Sequence, residues 1–125
     1  MAWSRNYSRR NTRLLRSLIR SGRIVVDCEN GIVLRPNGEP YATTPNFWGY
    51  TRFRIRIKRR GKTINAWFFL HKAVWLAGGG KLNRPNHELN HIDHNRANAR
   101  RNNLEYIHRK LNKAHKVAEE VEGAF

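Results

Sequence analysis

Cysteine occurs once, at Cys28, so the chain has no disulfide framework and no thiolate cluster for zinc. Acidic residues are also sparse: nine Asp and Glu stand in 125 residues, against 25 Lys and Arg. Outside the C-terminal stretch they are Asp27, Glu29, Glu39, Glu88, Asp93 and Glu105. That argues against a site built from several carboxylates and leaves any metal to lean on His and Asn. No apolar run reaches the ~18–20 residues that a membrane-spanning helix needs. The opening MAWSRNYSRRNTR has no apolar stretch of the secretory kind, so a cytoplasmic setting is expected.

What is abundant is positive charge. The formal net charge is +16, far beyond what solubility needs, and it predicts attraction to a polyanion. Nucleic acid is the leading candidate, with an anionic membrane surface second. The length fits one small domain or a compact core with an appendage.

Residues 8–21 read as a helix, with Ser8 or Asn11 as cap and Gly22 as stop. Leu14, Leu15, Leu18 and Ile19 make its apolar stripe. Arg9, Arg13, Arg16 and Arg20 fall on the other face, with no acid before Asp27 to balance them, so contact with a DNA backbone is expected there. Residues 23–35 read as a short hairpin turning at Glu29-Asn30-Gly31, and Pro36 to Asn46 as a loop. Tyr50–Lys58 alternates strictly, with Arg52, Arg54, Arg56 and Lys58 on one face and Phe53, Ile55 and Ile57 on the other. That period of two predicts a strand. Four like charges on one strand face repel one another unless something negative lies against them, so phosphate contact is expected. Arg60-Gly61 is a turn, Lys62–Leu70 returns as the partner strand, and residues 71–77 form a short helix. Leu104–Ile107 reads as a strand and residues 109–121 as a helix. Trp48, Trp67 and Trp75 are expected in the core, whereas Trp3 could stack on a base.

The densest feature is Glu88-Leu-Asn-His-Ile-Asp-His-Asn-Arg-Ala-Asn-Ala-Arg-Arg-Asn-Asn-Leu-Glu-Tyr-Ile107. Asn and His are poor core material, because each carries polar groups that need partners. Phosphodiester hydrolysis needs a base for water, a cation for the growing charge, and a frame to align them. His91 can be the base, since neutral imidazole is available near pH 7. Asn90 precedes it on a strand, so the two side chains splay apart, and at a strand end they can flank one ion. His108, Asn112, His115 and Glu119 share one face of the last helix by their i, i+4, i+7, i+11 spacing, which offers a second ligand. His87, His91 and His94 form an alternative zinc reading, disfavoured without Cys and with so short a loop.

This stretch, ELNHIDHNRANARRNNLEYIHRKLNKAH, resembles the HNH nuclease motif of the phage and homing-endonuclease type. His91 matches its first member, Asn103 its middle Asn and Asn112 its last. LHKAVWLA and WGYTRFRIRIKRRGKTINAWFFLHK are similar to the helix and strand pair upstream of that motif, so the resemblance spans roughly residues 47–116. It implies an α+β chain with a ββα-metal core, preceded by a small antiparallel sheet and the basic N-terminal helix. The division would be residues 1–22, 23–80 and 81–125. It implies one divalent cation, Mg²⁺ or Mn²⁺, held by Asn90 and Asn112, with His91 as general base. Asn103 would brace the loop, and Asp93 is assigned the same bracing role. His115, His108 and His71 are secondary candidates for the phosphate or metal shell. The implied activity is cleavage of double-stranded DNA, nicking one strand per site and leaving 5′-phosphate and 3′-hydroxyl ends. The alternative is a basic DNA-binding accessory protein that keeps the fold without catalysis. The family has Gly where this chain has His94, a turn position that favours positive φ.

Overall fold

A computed structural model describes residues 9–112. The first helix, α1 (Arg9–Arg20), buries Leu15 and Leu18 and leaves Arg9, Arg13 and Arg20 exposed. It stops where Gly22 takes φ 75°, a left-handed conformation that glycine adopts without a Cβ penalty. Asn11 lies inside this helix and does not cap it. Its Nδ2 donates to the Trp67 carbonyl (3.0 Å) and its Oδ1 accepts from Lys72 Nζ (3.1 Å), which ties the helix to the elements below. Ser8 lies outside the described residues.

The hairpin of β1 (Val25–Asp27) and β2 (Ile32–Leu34) follows, closed by the Gly31 N–H bonding to the Asp27 carbonyl at 2.8 Å. Three strands then form an antiparallel sheet in the order β3 (Thr43–Pro45), β4 (Thr51–Arg59), β5 (Lys62–Phe69). The expected unbroken loop from Pro36 to Asn46 is corrected here, because its end pairs as β3, with Thr43 opposite Phe53 and Pro45 opposite Thr51. Pro45 is tolerated because β3 is an edge strand. The β4–β5 turn has positive φ at both Arg60 (52°) and Gly61 (73°), the backbone twist that two-residue hairpins favour.

The alternation in β4 decides which face is buried. Phe53 and Ile55 are within the core, while Arg54, Arg56 and Lys58 are exposed. Phe53 pairs with Phe68 across the strands, ring centroids 5.7 Å apart. Such a pair contributes ~0.5–1.5 kcal/mol beyond the area it buries. Directly from β5 the chain enters α2 (Leu70–Ala77), the hub of the fold, which packs on α1, β1, β2, β4 and β5. Its apolar residues Leu70, Ala73, Val74 and Leu76 join one core with Leu15, Ile24, Val33 and Leu104, so all three expected segments share that core. Two further strands, β6 (His87–His91) and β7 (Leu104–His108), pair antiparallel, and residues 109–112 are helical after them. Among the described residues no helix is long and apolar enough to cross a membrane.

Two aromatic expectations change. Trp67 and Trp75 are half-buried, but Trp48 is 65% exposed at the tip of the β3–β4 connection. Trp3 lies outside the described residues.

Candidate active site

Register places the side chains of the site. Asn90 stands opposite Glu105 and His91 opposite Leu104 in the β6–β7 ladder. Asn90 Nδ2 donates to Glu105 Oε1 at 2.9 Å. That bond fixes which end of the amide faces the carboxylate and leaves the carbonyl oxygen outside it. Asn112, on the helical turn after β7, donates through Nδ2 to Glu88 Oε1. Its Oδ1 is buried with no hydrogen-bond partner. An unsatisfied buried acceptor is costly unless something positive meets it.

His91 ends β6 and turns to the other side, 3% exposed. Its ring lies 4.8 Å from that of His71 and 5.9 Å from that of Tyr50, centroid to centroid. His91 Nε2 and both ring nitrogens of His71 are buried without a partner. Burial pushes the His91 imidazole down to about 4, against the pull of Asp93, with Arg96 adding to the fall. Burial, then His91 and Lys72, pushes His71 down to about 3. Both rings are therefore neutral at pH 7, the form a proton acceptor requires.

The loop between the strands is held by one buried amide. Asn103 Oδ1 accepts the Asp93 N–H (3.0 Å), while its Nδ2 donates to Asp93 Oδ1 and the Asn98 carbonyl (2.9 Å each). Asn98 Nδ2 reaches Asp93 Oδ2 and the Asn95 N–H reaches Asp93 Oδ1. These bonds, from Asn98 first and then Asn103, hold the Asp93 carboxyl below the usual range. His94 sits at φ 63°, the backbone conformation that Gly would take at that turn.

One cleft of about 1030 Å³ gathers Asn90, His91, His94 and Asn112 with Arg9, Arg13 and Arg16 of α1. Its other cations are Lys72, Arg84, Arg96 and Arg109. The remaining assigned residues lie elsewhere. Arg20, Arg52, Arg54, Arg56 and Lys58 do not line the cleft, and Arg52 stacks 4.3 Å over the Trp67 ring. His108 ends β7 beside His87 (5.3 Å between rings), so it does not share a helix face with Asn112. His71 lies beneath His91 and outside the cleft wall. His115 and Glu119 lie outside the described residues.

Four contributors were not singled out from the sequence. Glu88 and Glu105 put a carboxylate beside each ligand candidate, against the expectation of a site poor in acids. The signal was register: Glu88 shares a strand face with Asn90, and Glu105 is its cross-strand neighbour. Tyr50 and Arg96 form a wall, the guanidinium 4.5 Å over the ring. No sequence signal marked them, because their meeting depends on how the loop lies against the sheet.

Among the described residues no three His, Cys, Asp or Glu side chains cluster as a metal site. The donors here are amide oxygens, hard ligands suited to Mg²⁺ or Ca²⁺ rather than to zinc. The orphaned Asn112 Oδ1, with the Glu88 carboxylate beside it and Glu105 beside Asn90, fits a hard divalent cation.

Residues 68–114 match the family model described as HNH endonuclease. The resemblance read from the sequence therefore holds. A solved structure titled "DNA binding and cleavage by the HNH homing endonuclease I-HmuI" shares the fold, with TM-score 0.61 and 20% identity over 78% of this chain. The match takes in 53% of that chain, about half its length. No curated protein matches. The chain is thus a mixed α+β protein with an HNH-type segment and the fold of an HNH homing endonuclease.

Proposed function

We propose that the protein is a metal-dependent DNA endonuclease that nicks one strand per active site. Residues 81–125 would carry the ββα-metal core, residues 23–80 the supporting strands and short helix, and residues 1–22 a basic helix on the DNA backbone. The observation that carries this reading is a buried neutral imidazole, His91, in one cation-lined cleft with the partnerless buried amide oxygen of Asn112.

Asn90 and Asn112 would hold one divalent cation, Mg²⁺ by the chemistry of their oxygens. When bound, that ion polarises the phosphate and offsets charge on the leaving 3′ oxygen. His91 Nδ1, the ring nitrogen other than the buried Nε2, takes the proton from the attacking water. Asn103 and Asp93 keep the loop rigid, so that His91 does not swing away from the phosphate. Arg9, Arg13, Arg16 and Arg96 hold neighbouring phosphates in the cleft, while Arg52, Arg54, Arg56 and Lys58 meet the backbone beyond it. The products would be 5′-phosphate and 3′-hydroxyl ends.

The test is nicking of supercoiled plasmid with Mg²⁺ or Mn²⁺, beside EDTA and His91→Ala controls. Removing a general base typically costs ~10²–10⁴-fold in rate. Equal cutting, or equal absence of cutting, by wild type and His91→Ala would refute the assignment. Plasmid binding without cutting in either would favour the accessory-protein reading.

A further inference from the structure

The turn between β3 and β4 presents two adjacent aromatic rings to solvent. Phe47 is 93% exposed and Trp48 65% exposed, and they pack edge-on against each other with centroids 5.5 Å apart. Exposed apolar residues are ordinary one at a time; a pair at a hairpin tip is a specific surface. The turn beneath them is rigid. Asn46 Oδ1 accepts the N–H groups of Trp48 (3.0 Å) and Tyr50 (2.9 Å). The Asn46 N–H bonds to the Tyr50 carbonyl (2.8 Å) and the Gly49 N–H to the Asn46 carbonyl (3.0 Å). Gly49 takes φ 85°, which lets the chain turn this tightly.

The tip is also tied to the site. Arg96 Nη1 donates to the Trp48 carbonyl, and the same guanidinium covers the Tyr50 ring, which lies against His91. The distance from the aromatic pair to the proposed base is therefore fixed by packed side chains. The surroundings select the partner. Between Glu39 and Glu88 the sequence holds no acidic residue, and Arg52 follows the tip on β4. A hairpin tip with exposed apolar rings, a guanidinium bound at its base and no acid in the strands that flank it is complementary to a polyanion that exposes flat apolar surfaces between its charges, as base-paired DNA does.

We propose that Phe47 and Trp48 form a wedge that inserts into a base step of the duplex, kinking it at a set distance from the phosphate presented to His91. This rests on the nuclease reading above. Partial unstacking opens the groove and gives the cleft access to one strand. Cutting would fall at a constant offset from the wedged step.

The experiment uses the full chain in EDTA, so that binding is observed without cutting. Relaxed plasmid is incubated with protein, treated with a metal-independent topoisomerase, and stripped of protein, and its topoisomers are resolved. The variants are Phe47→Ala/Trp48→Ala and the aromatic-conserving Phe47→Tyr/Trp48→Tyr. Wild type and the tyrosine pair should shift the topoisomer distribution, while the alanine pair should not. Duplex affinity should fall about tenfold for the alanine pair, in keeping with the usual loss of a base–aromatic stack. Its salt dependence should stay unchanged, because no phosphate contact is removed. Wild type that binds without shifting, or an alanine pair that shifts equally, overturns the wedge and leaves the nuclease reading standing. Wild type that does not bind DNA overturns both. Binding to anionic phosphatidylserine vesicles that needs the aromatic pair, with no plasmid shift, assigns the tip to a lipid surface and also overturns the wedge.

Discussion

Asn103 is the residue on which the geometry of the loop turns, and its replacement separates bracing from mere packing. Its side chain accepts one hydrogen bond and donates two: from the Asp93 N–H, to Asp93 Oδ1 and to the Asn98 carbonyl. Asn103→Ala removes all three. At a net ~1 kcal/mol each the sum is about 3 kcal/mol, and partial replacement by water at the open side of the loop brings the expected loss to about 2 kcal/mol. For a chain of this size that lowers Tm by about 8 °C. Asn103→Asp is the sharper test. The substitution keeps the shape and the acceptor for the Asp93 N–H, but it turns the donor end into an oxygen facing the Asp93 carboxylate and the Asn98 carbonyl. At neutral pH it should therefore be at least as destabilising as Asn103→Ala. Its deficit should shrink as pH drops into the carboxyl range, where protonation restores a donor. That of Asn103→Ala should shrink less, only by the share of the Asp93 depression that Asn103 supplies. Urea unfolding of both variants at several pH values measures this, and amide exchange at Asp93 reports the lost local bond. An Asn103→Asp variant as stable as wild type at pH 7, or one whose deficit ignores pH, would refute the bracing argument.

Other consequences are open to direct measurement. A Cβ at Gly31 would sit 2.6 Å from the Arg100 nitrogen and 2.7 Å from the Ala99 carbonyl carbon, at φ +68°. Gly31→Ala should thus cost about 3 kcal/mol, the left-handed penalty plus a backbone clash. Gly38→Ala has φ +88° but open space around it, so it should cost only the ~1–2 kcal/mol of conformation; equal urea midpoints would sink the clash argument. Glu105→Gln should barely alter stability, yet weaken divalent-cation binding by calorimetry, because the amide of Asn90 loses the carboxylate that orients it. Unchanged cation affinity would remove Glu105 from the site. His91 and His71 are pushed from 6.5 to about 4 and about 3, so between those values and 6.5 the unfolded chain binds more protons than the folded one. Stability should be fully present above pH 6.5 and decline as pH falls through this window. The acid limb of the cleavage rate should lie below 6.5, and a limb at or above 6.5 would mean that His91 is not shielded as described.

Much of the fold was legible because periodicity is local. The alternation in β4 marked Phe53 and Ile55 as core and Arg54, Arg56 and Lys58 as surface, and Arg60-Gly61 marked the turn. β3 was hidden because three residues in a Pro- and Asn-rich stretch carry no period, and only pairing with β4 makes them a strand. Trp48 was misplaced because aromatic content alone points to the core, whereas burial depends on what lies opposite, and nothing does at a hairpin tip. The site divided along the same line. His91, Asn103 and Asn112 were visible through spacing along the chain. Glu88, Glu105, Tyr50 and Arg96 reach the site through register and packing, which spacing does not encode. Lys72 shows the limit most sharply: its neighbours in the helix read as an ordinary apolar run. Its position at the hub buries it, and burial pushes its ammonium down to about 8.

The pairing of acids in this chain bears on why so cationic a cleft would admit a metal at all. A chain of net charge +16 repels divalent cations at long range. Asp93, Glu105 and Glu88 each have an Asn amide as partner: Asn103 and Asn98, Asn90, and Asn112 respectively. A guanidinium in those places would cancel the carboxylate charge and leave nothing for an ion to meet. An amide supplies the hydrogen bond that orients the carboxylate but leaves its charge whole. The Glu88 and Glu105 carboxylates thus stand on the strand pair that carries Asn90 and leads into Asn112, while arginines line the cleft around it. A phosphate diester, itself anionic, is drawn by the rim and must approach the carboxylates only where a cation can intervene. The proposed ion would therefore bind more tightly with DNA present than without it, since each relieves the other's repulsion. Calorimetry of the divalent ion with and without a non-cleavable duplex would measure that coupling. An ion affinity that DNA leaves unchanged would show that the acids serve the fold alone.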